Sequence, residues 1–275
     1  MRAASSVTRP VLLAATQSVF QLAVPGGELE CLRVDGPADA PTIVLLHEGL
    51  GCVALWRDFP HRLAEAAGCP VLAYSRFGYG GSSPVPLPRP LDYMERGGRD
   101  ELPALLDAAG IGDCVLFGHS DGASIALVHA GSVRDPRVRG VIVMAPHVFT
   151  EESGLASIAD ARDAYRRGDL RAKLAKYHGG NVDCAFHGWC DSWLHPDFER
   201  WNIEHVLPGI EVPLLQIQGE DDQYGSVAQL EAIEAAVRGP CSTLLLRDCR
   251  HAPQFEQAAR TLAASVEFIR RLRVT

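Results

Sequence analysis

Cys114-Val115-Leu116-Phe117-Gly118-His119-Ser120-Asp121-Gly122-Ala123-Ser124 is the stretch that decides how this chain is read. Four apolar residues in a row suit a strand buried on both faces. The glycines at 118 and 122 then bracket a serine in G-x-S-x-G spacing. Between a strand and a helix, that spacing pinches the serine onto a tight turn with strained backbone angles. Glycines remove the side chains that would collide there, and Ala123 and Ser124 keep the following helix close to the sheet. The hydroxyl is thereby presented at the carboxyl end of the strands, with the helix N-terminal dipole directed at it.

The pattern extends in both directions. Alternating segments Val19–Val24 and Leu29–Val34 flank Pro25-Gly26-Gly27, a strand, a turn and a strand. Further strands are predicted at Thr42–Leu46, Val71–Tyr74, Val138–Met144, Pro213–Ile217 and Thr243–Leu246. Helical segments near Leu55–Ala67, Tyr93–Ala109, Gly122–Gly131, Val227–Val237 and Gln257–Leu272 separate them. Short apolar runs alternating with helices are the signature of βαβ units. The expected fold is therefore α/β: a mostly parallel eight-stranded sheet with helices on both faces. The alternation stops between residues 150 and 210, which hold helical stretches and Trp189, Trp193 and Trp201 but no clear strand. This segment is expected to be a helical cap inserted into a core formed by residues 1–149 and 211–275. Ser82–Pro90 carries four prolines and reads as an extended loop.

Composition narrows the function classes. The chain has 275 residues, 47% hydrophobic and 22% charged, an ordinary globular mixture long enough to close a large core. Its 26 Lys+Arg stand against 34 Asp+Glu, a formal charge of −8, with a pI near 5.7. That balance argues against a nucleic-acid partner, whose binding needs Lys/Arg to neutralise phosphates. No run approaches the ~20 apolar residues that span a bilayer, so no membrane partner is expected. Near the N-terminus, Val11–Ala15 is shorter than the roughly seven to fifteen residues of a secretory core and is read as a tail leading into the first strand. Eight dispersed cysteines with no C-x-x-C pair suit reduced, buried thiols, which makes the cytoplasm the default location. The expected partner is a small-molecule substrate; a homodimer is left open.

A serine hydroxyl needs a base, and the base needs an orienting acid. On such a turn the chain order is serine, then Asp or Glu, then histidine. Strand Leu214–Gln218 runs into Gly219-Glu220-Asp221-Asp222, and strand Thr243–Leu246 runs into Arg247-Asp248-Cys249-Arg250-His251. Of the ten histidines, His251 alone follows the last strand, where a loop can return imidazole to the serine. His119 should point away from Ser120, and His47 should brace nearby loops.

Taken together, His47-Glu48-Gly49-Leu50-Gly51, Ser75-Arg76-Phe77-Gly78-Tyr79-Gly80-Gly81-Ser82, Gly118-His119-Ser120-Asp121-Gly122, the Gly-x-x-Asp ending at Asp222 and the Arg-His at His251 resemble the α/β-hydrolase superfamily over residues 17–272. In that family the acid stands three residues after such a glycine. The resemblance thus selects Asp222, with Asp221 as the alternative, and gives Arg76 a bracing role. It implies a serine hydrolase with Ser120, Asp222 and His251 as catalytic residues and no metal or organic cofactor. The implied substrate is a small or medium carboxylic ester; a thioester, lactone, amide or C–C bond beside a ketone suits the same machinery. Serine in place of aspartate counts against haloalkane dehalogenase and epoxide hydrolase chemistry. A ligand receptor and an acyltransferase are rival readings of the same fold.

The oxyanion that forms on attack needs preorganised N–H donors. Asp121 should supply one. Gly49 should supply the second, or Leu50 if Glu48, where glycine is usual in the family, shifts the turn. Glu48 either braces a neighbouring loop or lines the pocket. Asp121 either turns its carboxylate onto Arg76 or backbone donors, or faces the pocket and favours an amine-bearing substrate. Leu50, His147, Phe149, Trp189 and Trp193 complete the candidate lining. His178, Cys184, His187 and Cys190 faintly suggest zinc, but the spacing fits no standard site and the segment reads as helix.

Overall fold

The computed structural model describes residues 17–273; the predicted tail at Val11–Ala15 lies outside them. Strands β1 (Gln17–Val24) and β2 (Gly27–Val34) pair antiparallel across the Gly26-Gly27 turn. Then follow β3 (Thr42–Leu46), helix α1 (Phe59–Ala67), β4 (Val71–Tyr74), α2 (Tyr93–Arg96), α3 (Leu102–Ala108), β5 (Cys114–His119), α4 (Asp121–Val128) and β6 (Val138–Met144). Helices α5 (Glu152–Arg167), α6 (Leu170–His178) and α7 (Val182–Trp193) come next, and β7 (Leu214–Gly219), α8 (Ala228–Ala236), β8 (Cys241–Leu246), α9 (Pro253–Glu256) and α10 (Ala258–Leu272) close the chain. The eight strands form one sheet in the order β1-β2-β4-β3-β5-β6-β7-β8, parallel throughout except where β2 meets β1 and β4.

The central strands are apolar without interruption because both faces are covered. Along β3, Val44 and Leu46 enter one core with Leu116, Val143 and α4; Ile43 and Leu45 enter the other with Phe117, Met144, α1 and α10. Side chains alternate between these two cores with period two. The helix expected over Tyr93–Ala109 is divided. Gly97–Glu101 forms a widened turn, with the Leu102 N–H reaching back five residues to the Gly97 carbonyl. The helix expected from Leu55 starts later, because Arg57 takes a left-handed φ of 54°.

The helical insertion between β6 and β7 contains α5, α6 and α7 and is tied to the sheet's loops by polar contacts. His178 of α6 accepts the Gly80 N–H at 3.0 Å and, through Nε2, donates to the Leu50 carbonyl at 3.0 Å. Among the described residues no helix is long and apolar enough to cross a membrane.

Candidate active site

The carboxyl ends of β3, β5, β6, β7 and β8 open on one edge of the sheet. The strand order reverses between β3 and β5, the position where sheets of this kind leave a crevice. Ser120 stands there at φ 54° and ψ −120°, a backbone state non-glycine residues rarely adopt. Its N–H is pinned to the Met144 carbonyl at 2.9 Å, and its own carbonyl accepts from Ala123 at 2.8 Å. The flanking glycines are steric requirements: a Cβ on Gly122 would overlap the Leu46 carbonyl oxygen, and one on Gly118 would stand 2.5 Å from the Ala123 Cα. The helix is thus pressed directly onto the strands.

The loops after β7 and β8 are joined backbone to backbone. Glu220 N–H donates to the Leu246 carbonyl at 2.8 Å, and Asp221 N–H to the Cys249 carbonyl at 2.9 Å. This leaves Asp221 exposed and turns Asp222 inward, its side chain 1% accessible. His251 Nδ1 lies 2.9 and 3.0 Å from the two Asp222 oxygens. A carboxylate only accepts, so Nδ1 carries a proton. Burial alone would push the Asp222 carboxyl up, but the His251 charge, its hydrogen bond and the Tyr224 N–H at 2.9 Å outweigh it and hold the carboxyl below its usual range.

Ser120 and His251 share the wall of one cavity of about 90 Å³ with Glu48, Gly49, Leu50, Asp121, His147, Trp189 and Trp193. Glu151, Gly154, Ile158 and Tyr224 also line it, none of which stood out in the sequence. Tyr224 had a signal, lying two residues beyond Asp222; the α5 residues had none. Phe149 is not part of this wall. Its carbonyl accepts from Gln229 Nε2 at 3.1 Å and its backbone pairs with Asn202, which turns its ring into the core instead. His147 Nε2 donates to the Tyr224 carbonyl at 3.2 Å, and burial followed by the His251 charge holds the imidazole below its usual value, hence neutral.

Asp121 uses its carboxylate inward. Tyr93 Oη donates to it at 2.6 Å, Trp193 Nε1 at 3.2 Å, and Arg76 Nη1 lies 3.6 Å away, with Asp121 only 1% accessible. The carboxylate therefore balances Arg76 and anchors α7 of the insertion. Arg76 in turn donates to the Glu48 carbonyl at 2.9 Å, and its backbone N–H donates to His47 Nε2 at 3.0 Å. Glu48 contributes to the cavity wall and also sends its carboxylate to His119, 3.5 Å from Nδ1. Trp189 packs where a Gly49 side chain would stand. On α7, His187 pairs with Asp191 at 3.0 Å, and among the described residues no three His, Cys, Asp or Glu side chains converge as a metal site.

Lipase LipV of Mycobacterium tuberculosis strain H37Rv is 29% identical over 152 residues; the match spans 54% of this chain and 55% of that lipase, little more than half of either. Among solved structures, 2-hydroxy-6-oxo-6-phenylhexa-2,4-dienoate hydrolase from Rhodococcus sp. strain RHA1 superposes with a TM-score of 0.73 at 18% identity, covering 93% of this chain and 100% of that one. The enol-lactonase from Burkholderia xenovorans LB400 superposes with a TM-score of 0.68 at 22% identity, covering 90% of this chain and 99% of the other. At these identities the structures share the fold. The model of the alpha/beta hydrolase fold family matches residues 41–204, more than half of the chain, from β3 through the Ser120 turn into the insertion, and this protein belongs to that family.

Proposed function

We propose that this protein is a serine hydrolase that cleaves short-chain carboxylic esters through an acyl-enzyme. The observation carrying the reading is the joint presence of Ser120 and His251 in one cavity wall, with His251 Nδ1 already committed to Asp222. In this scheme Ser120 Oγ attacks the acyl carbon while His251 Nε2 takes its proton. The tetrahedral intermediate collapses as the imidazolium returns that proton to the leaving alkoxide. Water, deprotonated by the same nitrogen, then attacks the acyl carbon, and the imidazolium gives that proton to Ser120 Oγ as the acid is released. Asp222 orients the ring and stabilises its charged form. The Asp121 N–H, in the first turn of α4 where no intrahelical acceptor exists, donates to the oxyanion, together with an N–H of the Gly49-Leu50 turn.

Cavity size supports the substrate class. About 90 Å³ is far below the roughly 300–1,000 Å³ of sites for drug-sized ligands, which suits an acyl group of a few carbons. Leu50, Ile158, Trp189, Trp193 and Tyr224 give it apolar walls, while Glu48 and Glu151 disfavour an anionic acyl chain. Residues 150–210 act as the cap over this pocket, supplying Glu151, Gly154, Ile158, Trp189 and Trp193. A lipase among the relatives is in keeping with ester chemistry.

A fluorophosphonate probe and a p-nitrophenyl ester series from acetate to octanoate test the proposal. Labelling at Ser120 that disappears in His251→Ala, with acetate to butyrate preferred over octanoate and no turnover by Ser120→Ala, is the expected result. Absence of labelling and turnover favours a non-catalytic ligand receptor and defeats it.

A further inference from the structure

The triad leaves two polar side chains at the site unused, and they touch. His119 is buried directly behind the nucleophile at 2% accessibility. Its Nε2 lies 2.7 Å from the backbone carbonyl of His251; a carbonyl only accepts, so that nitrogen carries a proton. The other nitrogen, Nδ1, lies 3.5 Å from Glu48 Oε2, and a carboxylate also only accepts. The Gln254 amide is 3.3 Å from the same Nδ1, and its Oε1 has no other hydrogen-bond partner among the described residues. With the amide turned over, that oxygen accepts from Nδ1–H as well. In that arrangement a doubly protonated ring donates to the His251 carbonyl on one side and to Glu48 and Gln254 on the other.

Glu48 is where this chain departs from the glycine usual in its family, and the local backbone accommodates the change. The carboxylate folds over Gly51, where a Cβ would overlap Oε2 and stand 2.8 Å from the His47 Cβ. One chain of contacts therefore runs from the Glu48-Gly49-Leu50 turn, through the ring beside Ser120, to the backbone that carries the His251 imidazole. We infer that the buried His119 and the half-buried Glu48 form an ion pair that positions His251 and the oxyanion turn relative to Ser120, acting through these groups. Electrostatics agree with the geometry. Burial alone would push the His119 imidazole down, but the Glu48 bond and charge and the His251 carbonyl outweigh it and hold it above its usual value. Burial likewise pushes the Glu48 carboxyl up, and His119 followed by His47 brings it down to about 2. The charged groups facing His119 are Glu48 from the β3 loop and the Asp222–His251 pair from the β7 and β8 loops.

The inference rests on the hydrolase reading, and its test keeps the two apart. With a good ester substrate, Glu48→Ala is expected to lower kcat tenfold or more with KM within twofold. Glu48→Gln, which keeps an acceptor for Nδ1–H, should recover most of that loss. Glu48→Ala/His119→Ala should be no slower than the slower single variant, because both remove the same link. Independent, additive losses, or a Glu48→Ala kcat within twofold of wild type, overturn the inference. A readout free of turnover uses 15N-labelled histidine in Ser120→Ala: Glu48→Gln should lower the His119 titration midpoint by about one unit or more, and an unmoved midpoint refutes the pair. A wild type that neither hydrolyses esters nor labels at Ser120 defeats the hydrolase reading instead, whatever the midpoint does.

Discussion

Asp121→Asn separates two uses of a carboxylate next to Ser120. Asp121 is 1% accessible, accepts from Tyr93 Oη and Trp193 Nε1, and stands 3.6 Å from Arg76 Nη1, itself in a side chain only 3% accessible. The amide keeps the shape and leaves the Asp121 N–H, the proposed oxyanion donor, in place. What is lost is the counter-charge to a buried guanidinium and one of two acceptors, because the amide nitrogen cannot accept from Tyr93 Oη or Trp193 Nε1. Removing one partner of a buried ion pair costs about 3–5 kcal/mol. The lower end applies here, because the pair is separated beyond hydrogen-bond distance and Arg76 retains its bonds to the Glu48 carbonyl and to His47. Unfolding entropy of about 2.1 cal/mol/K per residue makes 1 kcal/mol worth about 2 °C in a chain of this length, so Tm should fall by about 5 °C. Thermal and urea unfolding read the stability, and initial rates at 20–25 °C on matched amino-acid and plain alkyl esters read the chemistry. Equal rate losses for both ester types are expected. Stability within about 1 kcal/mol of wild type, or a loss confined to amine-bearing esters, refutes the structural role and restores substrate recognition.

Five further outcomes are expected. Gly122→Ala drives a methyl into the Leu46 carbonyl and should cost more than about 3 kcal/mol in urea unfolding; a variant as stable as wild type would mean that α4 is not pressed onto β3. Asp222→Asn should lower kcat on the order of 10³–10⁴-fold, since the amide no longer enforces the Nδ1–H tautomer. Because the Asp222 carboxyl is held below its usual value of 3.8, its stabilisation is complete above that value and is lost as pH falls through the lowered one. Wild type should therefore lose stability more steeply below about pH 4 than Asp222→Asn, as measured by urea midpoints against pH. Trp193→Phe removes the Nε1 donor to Asp121 and Tyr93 from a buried cluster and should cost about 1–3 kcal/mol in the same assay. Trp189→Ala opens the cavity wall beside Gly49 and should shift the ester profile toward longer acyl chains; an unchanged profile would place the acyl group elsewhere.

The fold was legible because its signals are local. Uninterrupted apolar runs such as Ile43–Leu46 and Val115–Phe117 announce strands covered on both faces, and G-x-S-x-G after one of them announces a turn that only small neighbours allow. The widened turn at Gly97–Glu101 escaped for the opposite reason: it lies where Gly98 packs closely against Ile125 and Val128 of α4. The late start of α1 did carry a local mark, Pro60 in its first turn.

Sequence alone determined which residues end each strand, and hence that Ser120, His251 and the Glu220-Asp221-Asp222 group emerge at one edge of the sheet. Tertiary structure decided what those loop residues then do. It exposed Asp221 and turned Asp222 onto His251, because two inter-loop backbone bonds set the twist of that loop. It sent Asp121 to Arg76 and Tyr93, Glu48 to His119, and Phe149 into the core, while Tyr224, Glu151 and Ile158 entered the wall. Periodicity and turn chemistry report on a residue's nearest chain neighbours. The partner of a carboxylate is instead chosen by strand order across the sheet and by the return path of distant segments, as Asp121 meets Trp193, 72 residues on, and Glu48 meets His119.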